Sequence, residues 1–177
     1  MTRTPHAATG APDQPSHQAS FWLIAVAFLI TMVGTTLPTP LYALDQQHLG
    51  FGPTWVTLIF AIYAAGVISA LLAVGSWSDQ LGRRPMLLAG LAMGAISAVI
   101  FLCTDSIGGL LIARLISGFS AGIMTGTGTV AVIEAAPKRW QNSATLVATA
   151  ANMLGLGLGA LLAGFTSQFL PWPVHLA

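Results

Sequence analysis

Charged side chains are scarce in this sequence. Asp, Glu, Lys and Arg together account for 6% of its 177 residues, whereas an ordinary soluble domain carries roughly a quarter of its residues charged. With 55% hydrophobic residues, the chain has too few ionic groups to cover a surface that faces water. Its apolar side chains must therefore meet lipid or one another, and the relevant solvent is a bilayer.

Cysteine is rare as well, and histidine and basic residues are scattered. The single cysteine, Cys103, lies in an apolar run, where we expect a buried or lipid-facing thiol and no internal disulfide. None of the four histidines lies within metal-ligand spacing of another histidine or of the cysteine, so no metal site is predicted. Six scattered Lys and Arg residues argue against nucleic-acid binding. Without a Ser/His/Asp set or a phosphate-cradling loop, neither an enzyme nor a bound cofactor is expected.

The amino-terminal part divides into a polar tail and a long apolar stretch. Residues 1–20 are polar and show no periodic apolar face, so they predict a disordered tail. Residues 21–42 carry no charge and, at ~1.5 Å per residue, can cross about 30 Å of hydrocarbon. They predict a first transmembrane helix that Pro38 and Pro40 close. The alternative is a cleaved signal peptide, but only Arg3 precedes the stretch as a basic residue and no small-residue cleavage site follows it.

Four further stretches are long and apolar enough to span a bilayer, and polar or Gly/Pro residues separate them. They cover residues 54–77, 86–103, 107–133 and 143–169. The predicted fold class is therefore an all-α integral membrane protein of about five transmembrane helices.

Basic and aromatic residues predict how these helices are oriented. With the tail in the cytoplasm, only Arg114 lies within a span, and the outer connections carry Asp45 and Asp105. The remaining basic residues then all fall on the cytoplasmic side: Arg3, Arg83, Arg84, Lys138 and Arg139. The positive-inside rule therefore predicts a cytoplasmic amino terminus and, with an odd number of spans, an external carboxyl terminus. Tryptophans, which favour the membrane interface, all fall at predicted span ends: Trp22, Trp55, Trp77, Trp140 and Trp172.

Glycines spaced four residues apart recur in three of the spans. Such spacing lets helix backbones approach closely, so it predicts helix packing first, with a direct functional role as the alternative. The glycines are Gly90 and Gly94, then Gly118, Gly122 and Gly126, and finally Gly155 and Gly159.

The short connection between the second and third spans reads GSWSDQLGRRP. It resembles the signature of the major facilitator superfamily, in which a glycine, an aspartate, a second glycine, two basic residues and often a proline recur at this spacing. The matching residues are Gly75, Asp79, Gly82, Arg83, Arg84 and Pro85. A plain turn with positive-inside arginines is the alternative, but it does not account for the aspartate together with both glycines.

Elementary chemistry suits these residue types to a tight cytoplasmic turn. Gly82 permits a sharp reversal, and Gly75 lets the end of the second helix pack closely. Pro85 suits the first turn of the third helix, whose first N–H groups lack helical partners. Asp79 can accept hydrogen bonds at a helix amino terminus, where the helix dipole favours negative charge.

Two further residues resemble functional positions of the same family. Arg114, with Gly118 and Gly122, is similar to the fourth-helix pattern, in which the arginine is implicated in proton coupling. The alternative is that its side chain reaches the interface, about 10 Å away, without a functional role. Glu134 resembles an acidic residue that pairs with the loop arginine, here Arg83, and the alternative is a solvated glutamate at a helix end.

The first and fifth spans resemble those of the drug:proton antiporter subgroup. Gly34 with Pro38 and Pro40 is similar to the first-helix pattern. The fifth span, NMLGLGLGALLAG, resembles the antiporter signature of glycines around a Gly-Pro pair, although Ala160 stands at the proline position and Ala163 at a glycine position.

The resemblance implies a fold and a function. Family members have two six-helix halves, with substrate near the membrane midplane between them. Residues 21–173 would form most of the first half, and 174–177 would be a truncated end. We expect a multi-pass protein of the plasma (inner) membrane, in contact with the lipid bilayer, whose family exports small molecules with protons as the coupling ion. The chain is expected to be a fragment that is inactive alone. Alternatives are a sugar or metabolite porter of the same superfamily, or a non-transporting membrane subunit.

Several polar residues are candidates for the transport path. The possible substrate-facing residues are Thr35, Thr36, Thr39, Thr125, Thr129 and Asn152. Because no carboxylate lies deep in a span, a proton carrier would be Asp45 near the outer face or an acid outside these residues. Asp45 therefore joins Arg114 and Glu134 as a candidate for coupling or gating.

Overall fold

The computed structural model describes residues 15–37, 52–104 and 106–169, with side chains placed at 18–37, 52, 54–74, 82–104 and 106–165. Over these ranges the chain forms five long helices and no strand. They are α1 (Pro15–Thr36), α2 (Pro53–Leu81), α3 (Arg83–Cys103), α4 (Ile107–Ala135) and α5 (Gln141–Phe169).

Each of these five helices is long and apolar enough to cross a membrane. A helix satisfies its own backbone hydrogen bonds, which is what a chain needs in a solvent without donors or acceptors. The predicted fold class, an all-α membrane protein of about five spans, is therefore confirmed.

The helix ends differ from the predicted ones where the chain leaves the apolar region. Helix α1 begins at Pro15 rather than Phe21, so the end of the predicted disordered tail is helical. Proline suits the first turn of a helix, and a helix already nucleated by its apolar part extends at little cost. The apolar stretch itself starts at Gln18. At its other end α1 stops at Thr36, and the Leu37 N–H donates to the Val33 carbonyl at 3.2 Å; Pro38 and Pro40 lie outside the described residues.

The predicted connection between the second and third spans is shorter than expected. Helix α2 continues to Leu81 and α3 starts at Arg83, which leaves Gly82 as the single residue between them. Gly82 has φ of 84°, a backbone conformation that a side chain strongly disfavours. The tight reversal therefore depends on this glycine.

Helix α4 is interrupted by a feature that the sequence analysis did not predict. Regular α-helix over Ile107–Ile123 gives way to a π-helical turn over Met124–Gly128, and α-helix resumes over Thr129–Ala135. A π-turn widens the helix by about one residue and is frequent at functional sites.

Helix α4 forms the centre of the bundle. In the membrane-spanning part of α4, 50% of the residues are buried, against 17% in α2 and in α3. It packs between α2 and α3. Helix α1 packs along α5, and both contact the Thr129–Ala135 part of α4. This position makes α4 the helix whose side chains are most screened from lipid.

The predicted glycine spacing lies at the helix contacts. A side chain at Gly118 would collide with the Tyr63 carbonyl oxygen of α2, and one at Gly122 would meet Ala70 and Val67 of the same helix. Gly155 and Gly159 of α5 lie against Met32 and Val33 of α1, and Gly90 and Gly94 of α3 lie against Met124 and Ser120 of α4. These close approaches replace the hydrophobic driving force that is missing between helices in lipid.

The ends of the bundle differ in chemistry. Phe21 and Trp140 stack edge to face with ring centroids 6.2 Å apart, which places the starts of α1 and α5 together. The four basic residues at this end, Arg83, Arg84, Lys138 and Arg139, define what we call the arginine end. Leu37, Thr104 and Ser106 mark the opposite end. Trp22 and Trp140 lie at the arginine end with ring centroids 5.6 Å apart, whereas Trp77 and Trp172 have no described side chains.

Candidate functional site

Arg114 lies in the interior of the bundle. It is 1% exposed and is the largest of the fully buried side chains. Its Nη1 donates a hydrogen bond to the backbone carbonyl of Thr35 at 3.0 Å. This bond joins α4 to the end of α1, so the guanidinium links two helices. In this structure the Arg114 side chain therefore lies inside the bundle rather than at the membrane interface, and its role in coupling stays a prediction.

Three aromatic rings surround the same guanidinium. The Cζ atom lies 5.3 Å from the Tyr63 ring centroid, 5.7 Å from that of Phe101 and 5.9 Å from that of Phe60. A cation over an aromatic face is stabilised by about 0.5–2 kcal/mol, more when water is excluded. Helices α2 and α3 therefore supply most of the environment that holds a permanent positive charge inside an apolar bundle.

A groove of about 220 Å³ lies next to Arg114, between α1, α3 and α4. Thr35 and Phe101 line it and also contact the guanidinium. Most of the wall is apolar or small, with hydroxyl groups from Thr31, Ser97 and Ser117 in addition to Thr35. The groove is therefore a mainly apolar space bordered by one buried charge.

The hydroxyl groups of the groove are largely engaged with backbone carbonyls. Thr31 and Thr35 donate to carbonyls of their own helix, Ala27 and Met32, each at 2.8 Å. Ser97 donates across to the Ala113 carbonyl of α4 at 2.8 Å. Ser117 is buried and lines the groove. Sequence reasoning selected Thr35 but missed both serines, because a serine in an apolar helix carries no mark of which neighbour it faces.

Of the other predicted substrate-facing residues, those that the structure describes do not line this groove. Thr36 donates to the Leu156 carbonyl of α5 at 3.2 Å, so it connects α1 to α5. Thr125, Thr129 and Asn152 are half-buried. Thr39 and Asp45 lie outside the described residues, and their predicted roles stay predictions.

The loop motif and the end of α4 meet at the arginine end. Arg83 Nη2 donates to Glu134 Oε1 at 2.7 Å, and Arg83 Nε contacts Oε2 of the same carboxylate. This two-point contact brings together the residues whose pairing the family resemblance implied. Arg84 is exposed. At Gly75 and Asp79 the structure describes only the helical backbone.

The Arg83–Glu134 pair joins the first residue of α3 to the last turn of α4. The two side chains are 33% and 54% exposed, so solvent screens the pair. Exposed pairs contribute about 0–1 kcal/mol, toward the upper end when the geometry is bidentate. The contact therefore shows that α3 and α4 meet here, but it adds little to the stability of the bundle.

Comparison with protein families identifies the chain. The family model described as Major Facilitator Superfamily matches residues 21–175, nearly the whole sequence after the tail. The chain belongs to the major facilitator superfamily.

Individual relatives of the superfamily member are distant but match most of its length. Proteins from Escherichia coli O81 (strain ED1a), from O6:H1 (strain CFT073) and from O1:K1 are each 23% identical to it over 164 residues. Each is called MdtD and is named for multidrug resistance. The aligned part covers 93% of this chain and 34% of each relative, so the chain spans about a third of the length of the curated relatives it matches.

The helix contacts can be compared with the architecture of the superfamily. Transporters of this superfamily have six-helix halves built from inverted repeats of three helices. Among the described helices, the main contacts are those of α4 with α2 and with α3 and that of α1 with α5. The buried arginine, the groove and the loop pair all lie within the five described helices.

Proposed function

We propose that this chain serves in the export of small amphipathic molecules by a proton-coupled secondary transporter of the plasma (inner) membrane. The superfamily supports membrane transport, and the multidrug-resistance name of the relatives supports efflux and an amphipathic substrate. We also propose that the path for substrate includes helices beyond the described ones, a proposal that the 34% coverage of those relatives supports.

The observation that carries this proposal is the burial of Arg114. A permanent charge inside a membrane protein is expensive, and such residues generally mark ion or substrate pathways. Its guanidinium contacts Thr35 and Phe101, which line the groove, so a fixed positive charge lies close to this mainly apolar space. A nearby carboxylate would lose its proton more readily because of that charge. Asp45, or an acid supplied by other helices, would then carry the coupled proton.

The proposed orientation rests on the arginine end. Basic residues favour the cytoplasmic side of connections between spans, and four of the six basic residues lie at this end. The amino terminus is accordingly placed in the cytoplasm. Arg83 and Glu134 are then gating candidates on the inner face, and Asp79 would contact a helix of the second half.

Transport in proteoliposomes tests the proposal. One sample contains the 177-residue chain alone, and the other contains residues 1–169 joined to the helices that follow the matched region in an MdtD relative. We expect a pH gradient to drive uptake of the lipophilic cation ethidium by the joined protein and not by the chain alone, because the substrate site forms between two halves. A labelled sugar in place of ethidium should not be transported.

Two results would contradict the proposal. Proton-driven ethidium uptake by the chain alone would show that the second half is not required. A joined protein that is monodisperse and fully helical, yet transports the sugar and not ethidium, would favour the porter alternative over drug efflux.

A further inference from the structure

Thr127 is buried without a hydrogen-bond partner. It lies in the π-turn of α4, is 0% exposed, and its Oγ1 has no partner among the described residues. It is the one buried side-chain oxygen or nitrogen with this property in the described part of the chain. A buried polar group in a native protein is normally satisfied, so this exception needs an explanation.

Threonines in the regular helix α1 behave differently. Thr31 donates to the carbonyl four residues earlier at 2.8 Å, and Thr35 donates to the carbonyl three residues earlier at 2.8 Å. Thr36 reaches both of these positions at 3.2–3.3 Å. A carbonyl three or four residues earlier is the usual hydrogen-bond acceptor for a threonine inside a helix. Thr127 lies in a wider π-turn, and there its hydroxyl lacks the bond that the threonines of α1 make.

We propose that α4 has a second register, in which Met124–Gly128 is α-helical and the Thr127 hydroxyl donates to the Ile123 carbonyl. The π-turn holds about one residue more per turn than an α-turn does. Closing it advances the chain that follows by about 100° and about 1.5 Å, the rotation and rise of one residue. Each register has one advantage. The present one keeps the packing of Thr129–Ala135, and the second gives the Thr127 hydroxyl a hydrogen-bond acceptor.

The inner segment, Thr129–Ala135, is the part that moves. Residues before the π-turn are held against α2 by the contacts of Gly118 and Gly122, where a shift would cause backbone collisions. The inner segment has seven residues and ends in the short connection to α5. Val132 is fully buried against α1 and α5, which keeps the second register the minor one.

The consequence reaches the arginine end. Advancing the inner segment by one residue moves Glu134 away from Arg83 and brings Ile133 to the direction that Glu134 now occupies. The hydrogen bonding of the Thr127 hydroxyl is thereby coupled to the Arg83–Glu134 ion pair at the arginine end. This inference does not depend on the proposed transport activity.

Cross-linking of cysteine pairs in the full chain by a bifunctional maleimide, about as long as the Arg83 and Glu134 side chains together, tests the second register. In a Cys103→Ser background, the pair Arg83→Cys with Glu134→Cys reports the present register, and the pair Arg83→Cys with Ile133→Cys reports the second. Cross-linking accumulates a minor state over time, so a rare register is detectable. We expect the second pair to cross-link about tenfold more slowly than the first.

The variants Thr127→Val and Thr127→Ser provide the matched comparison. Valine keeps the shape and removes the hydroxyl, so it should slow cross-linking of the 83/133 pair by about tenfold, the equilibrium factor of roughly one hydrogen bond, and leave the 83/134 pair unchanged. Serine keeps the hydroxyl and should retain the slow cross-linking. A 83/133 rate that is the same in the valine and serine variants, or no 83/133 cross-link in the unmodified Thr127 chain, would overturn the proposal.

Discussion

Replacing Gly118 with alanine is expected to lower the free energy of unfolding by about 3 kcal/mol, the upper end of the range for overpacking. The added Cβ would collide with the Tyr63 carbonyl oxygen and lie 3.2 Å from the Gly66 Cα. Both are backbone atoms of α2, which cannot rotate away as a side chain can. Helices α2 and α4 would have to separate along their whole contact. Thermal unfolding in detergent, followed by circular dichroism, measures the change.

Gly157→Ala provides the matched control in α5. An added Cβ there meets nothing within 4 Å. Alanine in a helix is favoured over glycine by about 0.5–1 kcal/mol, so this variant should be as stable as the original chain or slightly more. Equal destabilisation by the two substitutions would contradict the assignment of Gly118 to a helix contact.

The second large effect is expected at Arg114, where two substitutions separate structure from function. Arg114→Ala leaves a cavity and an unsatisfied Thr35 carbonyl, and we expect it to cost about 3–5 kcal/mol of unfolding free energy. Arg114→Met fills most of the space with an apolar chain. Methionine also leaves the Thr35 carbonyl without its donor, so we expect this variant to fold with a loss of about 1–3 kcal/mol, less than the alanine variant because no large cavity forms.

Transport by the joined protein described above then decides the role of the charge. We expect the methionine variant to be folded yet to lose proton-driven ethidium uptake, because the positive charge beside the groove is gone. Thermal unfolding of the same preparation provides the control for folding. Full uptake by a stable methionine variant would mean that Arg114 is not required for coupling.

Properties that depend on local sequence were predicted well. The five spans follow from the lengths of the apolar stretches, and Gly82 was selected because only glycine suits a reversal of this kind. The contact of Arg83 with Glu134 was anticipated from the family resemblance, since the two residues are 51 positions apart and nothing local connects them. Helix ends were predicted less well, because helices extend past the apolar region and composition marks only the latter.

Properties that depend on neighbours in space were not accessible. The sequence identified Arg114 as unusual but could not show that it contacts the Thr35 carbonyl and three aromatic rings. The π-turn has no compositional signature, so the unusual position of Thr127 also went unpredicted. Thr125 and Thr129, on either side of it, were selected instead. In an apolar helix every hydroxyl looks alike until its neighbours are known.

We propose that these helices cross a bilayer with the arginine end in the cytoplasm. Labelling intact cells with a membrane-impermeant maleimide tests it, using single cysteines at Gly108, Arg84 or Lys138 in a Cys103→Ser background. Gly108 is exposed near the start of α4, and Arg84 and Lys138 are exposed at the arginine end. We predict labelling of Gly108→Cys in intact cells, and of Arg84→Cys and Lys138→Cys only after permeabilisation. Labelling of Arg84→Cys from outside intact cells would contradict this orientation.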